Sequence, residues 1–147
     1  MSIQNQLTEA MKVAMKAKDS LRLNTIRMAR TAIKNAEIEA REALDDAGAI
    51  KVLSTLVKQR REAADAYRET RPELAEKEEQ ELTVLQDFLP AQLSEAELAE
   101  MVQAAITEAG ATSMRDMGAV MKLLTPQTTG RADGKQVSNL VRQSLGG

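Results

Sequence analysis

Two groups of cationic side chains stand where an anion could be held. The first is Gly130-Arg-Ala-Asp-Gly134-Lys135. It sets two glycines, Arg131 and Lys135 at a helix start, where free N–H groups and the helix dipole favour negative charge. The segment is not a nucleotide-binding P-loop. The spacing is one residue short, Gln136 replaces the Ser or Thr that would hold magnesium, and no strand precedes it. Asp133 competes for the same place, because a capping carboxylate satisfies the same N–H groups. Cap and phosphate contact are compatible if the phosphate meets Arg131 and Lys135 outside the cap. The second group is Arg27, Arg30, Lys34 and Arg41, which at 100° per residue lie within about 60° of one another on one helix. Two readings fit this stripe. It is a binding face on a rigid rod, or a solvated face laced by Glu37 and Glu39, with Glu37–Arg41 as a favourable i,i+4 pair.

Other chemistry has little material. The chain has neither cysteine nor histidine. That removes the thiolate nucleophile, the commonest general base and the commonest metal ligands. Serines occur without the histidine of a Ser-His-Asp arrangement, and a Ser-Lys pair would need a spatial meeting that spacing does not specify. The carboxylates crowd one exposed helix and lack the apolar setting that tunes a catalytic acid. No catalytic residue, metal or cofactor is therefore expected. Tyr67 and Phe88 are the only aromatics. A nucleic-acid partner would then be a folded RNA gripped by its phosphates, not a single strand held by stacking.

The elements that must position these groups are helices. Ser2 caps a first one, with Ile3, Leu7, Ala10, Met11 and Ala14 at three-and-four spacing, ending near Lys18. Asp19 or Ser20 caps a longer second helix with the seam Ile26, Ala29, Ile33, Ala36 and Ala40. Leu44–Gly48 reads as a short loop and cap, so the second and third helices form an antiparallel hairpin. The third helix carries Ile50, Leu53, Val57, Ala64 and Tyr67. Pro72 opens a fourth, acidic outside, with Leu74, Leu82, Leu85 and Leu89 inside. Its acidity rejects nucleic acid and suits solvent or a basic surface. Pro90 stops it, and Ser94-Glu-Ala-Glu97 is a capping box that starts the next helix. Three short helices follow. One carries Leu98, Met101, Val102, Ala105 and Ile106. One opens with Ser113-Met-Arg-Asp116, faces inward with Met114, Met117, Met121 and Leu124, and gives way to a Thr/Pro/Gly loop. The last is capped by Asp133 and carries Val137, Leu140, Val141 and Leu145. The methionine stripe is read as core filler, not a cofactor surface.

The expected architecture is all-α: a long helical hairpin with flanking helices over 1–90 and a small three-helix bundle over 94–147. Net charge is −2, but the balance is +4 through Arg41, −8 from Glu73 to Glu100, and +2 from Met101 onward. Each end can favour an anion. No apolar run approaches the roughly 20 residues of a membrane span. The first residues are polar and periodic, unlike a secretion signal. A cytoplasmic protein without a membrane partner is expected.

The ordered set Lys18-Asp-Ser-Leu-Arg-Leu, Ile26-Arg-Met, Ala32-Ile-Lys-Asn-Ala-Glu37, Lys58-Gln-Arg-Arg-Glu62, Phe88-Leu-Pro-Ala-Gln-Leu93, Asp116-Met-Gly-Ala-Val-Met121 and Gly130-Arg-Ala-Asp-Gly-Lys135 resembles the YqeY family over nearly the whole chain. These are small bacterial proteins similar to the C-terminal tail of the GatB subunit of tRNA-dependent amidotransferases. The resemblance implies a two-part all-α fold and a free-standing module that contacts tRNA or associates with an amidotransferase or an aminoacyl-tRNA-related protein. The label of a carbon–nitrogen ligase using glutamine as amido donor belongs to the amidotransferase relatives. Their ATP site and amidase residues have no counterpart here, and no catalytic residue carries over. The alternatives are a protein-docking adaptor without RNA and, last, a glutamine-dependent carbon–nitrogen ligase as the family label implies.

Overall fold

Helix caps written in the sequence set the element order. In the computed structural model, which describes Met1–Gly146, the helices are α1 (Ile3–Ala17), α2 (Ser20–Ala40), α3 (Asp46–Tyr67), α4 (Pro72–Gln86), α5 (Glu95–Ala109), α6 (Met117–Thr128) and α7 (Gly134–Gly146). A single 3₁₀ turn, Met114–Asp116, precedes α6. No strand occurs among the described residues, and the all-α expectation holds. Side chains of Ser2, Asp19, Asp45 and Ser94 accept the orphan N–H groups of α1, α2, α3 and α5.

The chain divides into two compact units, Met1–Leu89 and Pro90–Gly147. In the first, Ile3 and Leu7 of α1, Ile26, Ala29 and Ile33 of α2, Leu53 and Val57 of α3, and Val84, Leu85 and Phe88 share one core. The most extensive helix pairing is α3 with α4. The expected α2–α3 neighbours also touch, but less. The reason is charge as well as apolar surface. Arg60 of α3 pairs with Glu81 (2.9 Å) and Glu78 (3.6 Å), and Arg68 follows with Glu79 (2.9 Å). The basic surface that the acidic fourth helix needed lies on its own sequence neighbour.

Two expectations are corrected. The loop after α2 ends at Asp45 rather than Gly48, because the Asp45 carboxylate accepts the Gly48 N–H (2.9 Å) and α3 starts at Asp46. The Thr/Pro/Gly stretch begins as helix, since α6 continues through Pro126 to Thr128. Proline removes one N–H from the ladder. Hydroxyls of Thr125, Thr128 and Thr129 donate to the carbonyls four residues back (2.8, 3.1 and 2.6 Å) and hold the last turn.

The second unit packs Leu98, Val102 and Ala105 of α5, Val120 and Leu124 of α6, and Val137 and Val141 of α7. Met117 and Met121 lean on this core, while Met114 is exposed on the 3₁₀ turn. Two carboxylates secure its caps. Glu97 accepts from the Ser94 N–H (3.2 Å), and Asp116 from the Thr112 and Ser113 N–H groups (2.9 and 3.3 Å). These hydrogen bonds hold both carboxyls below their ordinary values. A depressed folded-state pKa gives stability that is present above the unfolded value and lost as pH falls through the folded one. An acid titration of α5 and α6 helicity is therefore expected to show loss beginning in the usual carboxylate range and continuing below it. Asp116→Asn should remove part of that pH dependence; an unchanged acid profile in the variant contradicts the assignment.

Candidate nucleic-acid interface

α2 forms a long rod because its one apolar seam faces the core. Ile26, Ala29 and Ile33 are buried there, and Thr25 is sealed by donating its hydroxyl to the Leu21 carbonyl (2.8 Å). The other side is left to solvent, and Arg27, Arg30 and Lys34 all stand exposed on it. Arg27 and Lys34 form no side-chain hydrogen bond or ion pair among the described residues. Arg30 lies against α1, its guanidinium donating to the Met11 sulfur (3.0 Å), a weak acceptor that leaves the charge uncompensated.

Arg41 is placed differently. It lies just past Ala40, in the left-handed conformation (φ 59°) that closes α2. The lacing pair Glu37–Arg41 is not formed. Glu37 accepts instead from the Leu44 N–H (2.9 Å) and the Gln4 amide (3.4 Å), tying the α2–α3 loop to α1. Part of the acidity that was to neutralise the stripe is thus committed to the loop. The stripe keeps its positive charge.

The Gly130–Lys135 turn holds its own unit together. Gly130 takes φ 79°, a conformation glycine adopts without strain, and its carbonyl accepts the Gln92 amide (2.8 Å). The Leu93 N–H donates to the Arg131 carbonyl (2.8 Å), and Arg131 Nε donates to the Ala91 carbonyl (3.2 Å). Three hydrogen bonds therefore staple Pro-Ala-Gln-Leu to this turn. Arg131 is half-buried in that staple. Asp133 accepts the Lys135 N–H (3.3 Å), filling the helix start with its carboxylate. Lys135 is exposed beyond it. The turn therefore presents one exposed lysine and a working arginine, not an open anion cradle. Arg27, Arg30 and Lys34 are brought together on one face of the first unit, while Arg131 and Lys135 belong to the second.

A family model described as Yqey-like protein matches residues 4–145. The chain belongs to the YqeY family. Among its relatives, a protein of Pyrenophora tritici-repentis is 30% identical over 146 residues, covering 96% of this chain and 80% of that protein. One of Vanderwaltozyma polyspora is 40% identical over 85 residues (56% and 46%), and one of Lachancea thermotolerans 37% over 107 residues (69% and 57%). All three carry the name "Altered inheritance of mitochondria protein 41, mitochondrial". The chain spans about half the length of the latter two. These relatives correct the expectation of a bacterial, cytoplasmic protein: they are fungal, and their names place them in mitochondria.

Several segments that carry the YqeY resemblance now have structural work. Lys58-Gln-Arg-Arg-Glu62 supplies the arginine that joins α3 to α4, and Phe88 packs into the first core with the Arg22 guanidinium 5.7 Å from its ring centre. Arg27 and Lys34 of α2 have no such contact among the described residues.

Proposed function

We propose that this YqeY-family module is non-catalytic and grips the phosphates of a structured RNA, tRNA first among them, through the exposed face of α2. One observation carries the reading: Arg27 and Lys34 stand unpaired on the solvent side of a helix whose opposite side is locked into the core. Cations held on a rigid rod lose little order on binding, and each phosphate neutralised releases counterions. The choice of tRNA comes from the likeness of the family to the GatB tail.

Filter binding across a salt series tests it. Reversing all three cations in R27E/R30E/K34E is expected to flatten the salt slope by about 2.7 and weaken tRNA binding by about tenfold to a hundredfold at moderate salt. Unchanged affinity, or no preference for tRNA over a DNA duplex, would sink the proposal. A protein-docking adaptor is favoured by one side chain: Ile38, 67% exposed, stands four residues beyond Lys34 on the same face. Recovery of a protein partner after nuclease treatment, lost on Ile38→Asp, would decide for that reading.

A further inference from the structure

We propose that Met28 is a site of oxidation by hydroperoxides and that Arg60 receives the oxygen it acquires, so that the modification tightens the α2–α3 junction; RNA binding has no part in it. The chain has eight methionines and no cysteine. Thioether sulfur is therefore its main nucleophile towards a peroxide. Two of these sulfurs lie against a guanidinium, each at a junction between helices. Met11 of α1 meets Arg30 of α2 at 3.0 Å, and Met28 of α2 meets Arg60 of α3 at 2.8 Å. Met11 is half-buried, whereas Met28 is 42% exposed and open to a small oxidant. Met15 and Met114 are as exposed, but neither accepts a hydrogen bond from a cation among the described residues.

A thioether is a weak acceptor, so the guanidinium against it is poorly satisfied on that side. Hydrogen peroxide changes this. A sulfur lone pair attacks one peroxide oxygen, the S–O bond forms and the O–O bond breaks. The proton on the transferred oxygen passes to the departing hydroxide, which leaves as water. Sulfur loses two electrons and the peroxide gains them. The product is a sulfoxide, polar where the thioether was apolar, with an oxygen that accepts hydrogen bonds strongly. Rotation about the Cγ–Sδ bond turns this oxygen to the guanidinium, because the methionine side chain is unbranched and flexible.

Arg60 has a donor ready for it. Its Nε serves Glu81 (2.9 Å) and Glu78 (3.6 Å), while Nη2 donates to the Met28 sulfur. A guanidinium offers five N–H groups in a fixed fork, so the new bond displaces neither carboxylate. The Arg60 side chain is largely shielded from water, and a charge-assisted hydrogen bond made there is stronger than one on an open surface. Met117 and Met121 provide the contrast. They lean on the apolar core of the second unit, where an added oxygen loosens the packing.

The full chain carrying Met15→Leu and Met114→Leu, treated with dilute hydrogen peroxide, gives the test. Peptide mass spectrometry locates each oxygen, and hydrogen exchange of α2 and α3 peptides confines the readout to the first unit. Met28 is expected to take one oxygen well before Met11, Met117 or Met121. The singly oxidised protein should then exchange more slowly across α2 and α3, and Tm of the first unit should rise by about 2–6 °C, the effect of one added hydrogen bond. Arg60→Leu with Glu81→Leu removes the receptor and adds no thioether, and in that variant the rise should vanish. Met28→Leu, which peroxide does not oxidise, should also show no rise, and it keeps the test available if the double variant does not fold. An unchanged or lowered Tm on oxidation of Met28, or an equal rise without Arg60, overturns the role of Arg60. A rise that persists in Met28→Leu, or oxidation of Met28 no faster than of Met11, overturns the site.

Discussion

Leu124→Ala is expected to lower the stability of the second unit by about 3–4 kcal/mol. Leu124 is fully buried, and its core partners are few: Leu98, Val102, Ala105, Val120, Val137 and Val141. Deleting three carbons removes their transfer free energy and leaves a cavity that only flexible neighbours can fill. Met117 and Met121 lean on the same core and are the side chains able to move in, which keeps the expected loss below the upper end of the measured range for such deletions. A small unit with one core has little margin, so this loss is a large share of its stability. Denaturant melts with hydrogen exchange read at α5, α6 and α7 measure it. Leu124→Met, which conserves volume, should cost less than about 1.5 kcal/mol. A loss under 1 kcal/mol for the alanine variant would mean that the core collapses around the gap and that Leu124 does not organise it.

The periodic part of the fold was legible in the sequence because period reports burial directly. Ile3, Leu7, Ile26, Ala29, Ile33, Leu53 and Val57 were read from spacing and are buried. The stripe of Arg27, Arg30 and Lys34 was legible for the same reason. What failed to show depended on partners distant in sequence. Glu37 looked committed to Arg41 because i,i+4 rules see one helix, yet the Leu44 N–H offered it a stronger bond from the loop. Arg131 looked like an anion hook because its acceptor, the Ala91 carbonyl, lies 40 residues away. Spacing marks Lys18 only as a helix end. Its left-handed backbone is normally announced by glycine, and here no glycine stands. Helix ends without glycine, followed by Asp or Glu, were the available signal, shared by Lys18-Asp19 and Arg41-Glu42.

Removing one partner of the ion pair between α3 and α4 has the second large effect. Arg60 and Glu81 side chains are only 13% and 14% exposed, with Nε to carboxylate oxygen at 2.9 Å. The same guanidinium reaches the Met28 sulfur of α2 (2.8 Å), so Arg60 ties α3 to both α4 and α2. Glu81→Ala leaves a charge that water reaches poorly. Breaking a buried pair costs about 3–5 kcal/mol. Glu78, at 3.6 Å and 24% exposed, remains as a partial partner and brings the expected loss to about 2–3 kcal/mol. Arg60→Met with Glu81→Leu removes both charges and their desolvation, so the double variant should lie within about 1 kcal/mol of the parent. The double-mutant cycle then shows a strong coupling between the two positions. Arg68 provides the contrast. Its pairs with Asp65 and Glu79 are more than half exposed on every member, and Glu79→Ala should cost less than about 1 kcal/mol. If Glu79→Ala and Glu81→Ala cost the same, water reaches Arg60 as freely as Arg68, and the α3–α4 pairing is held by its apolar surface alone.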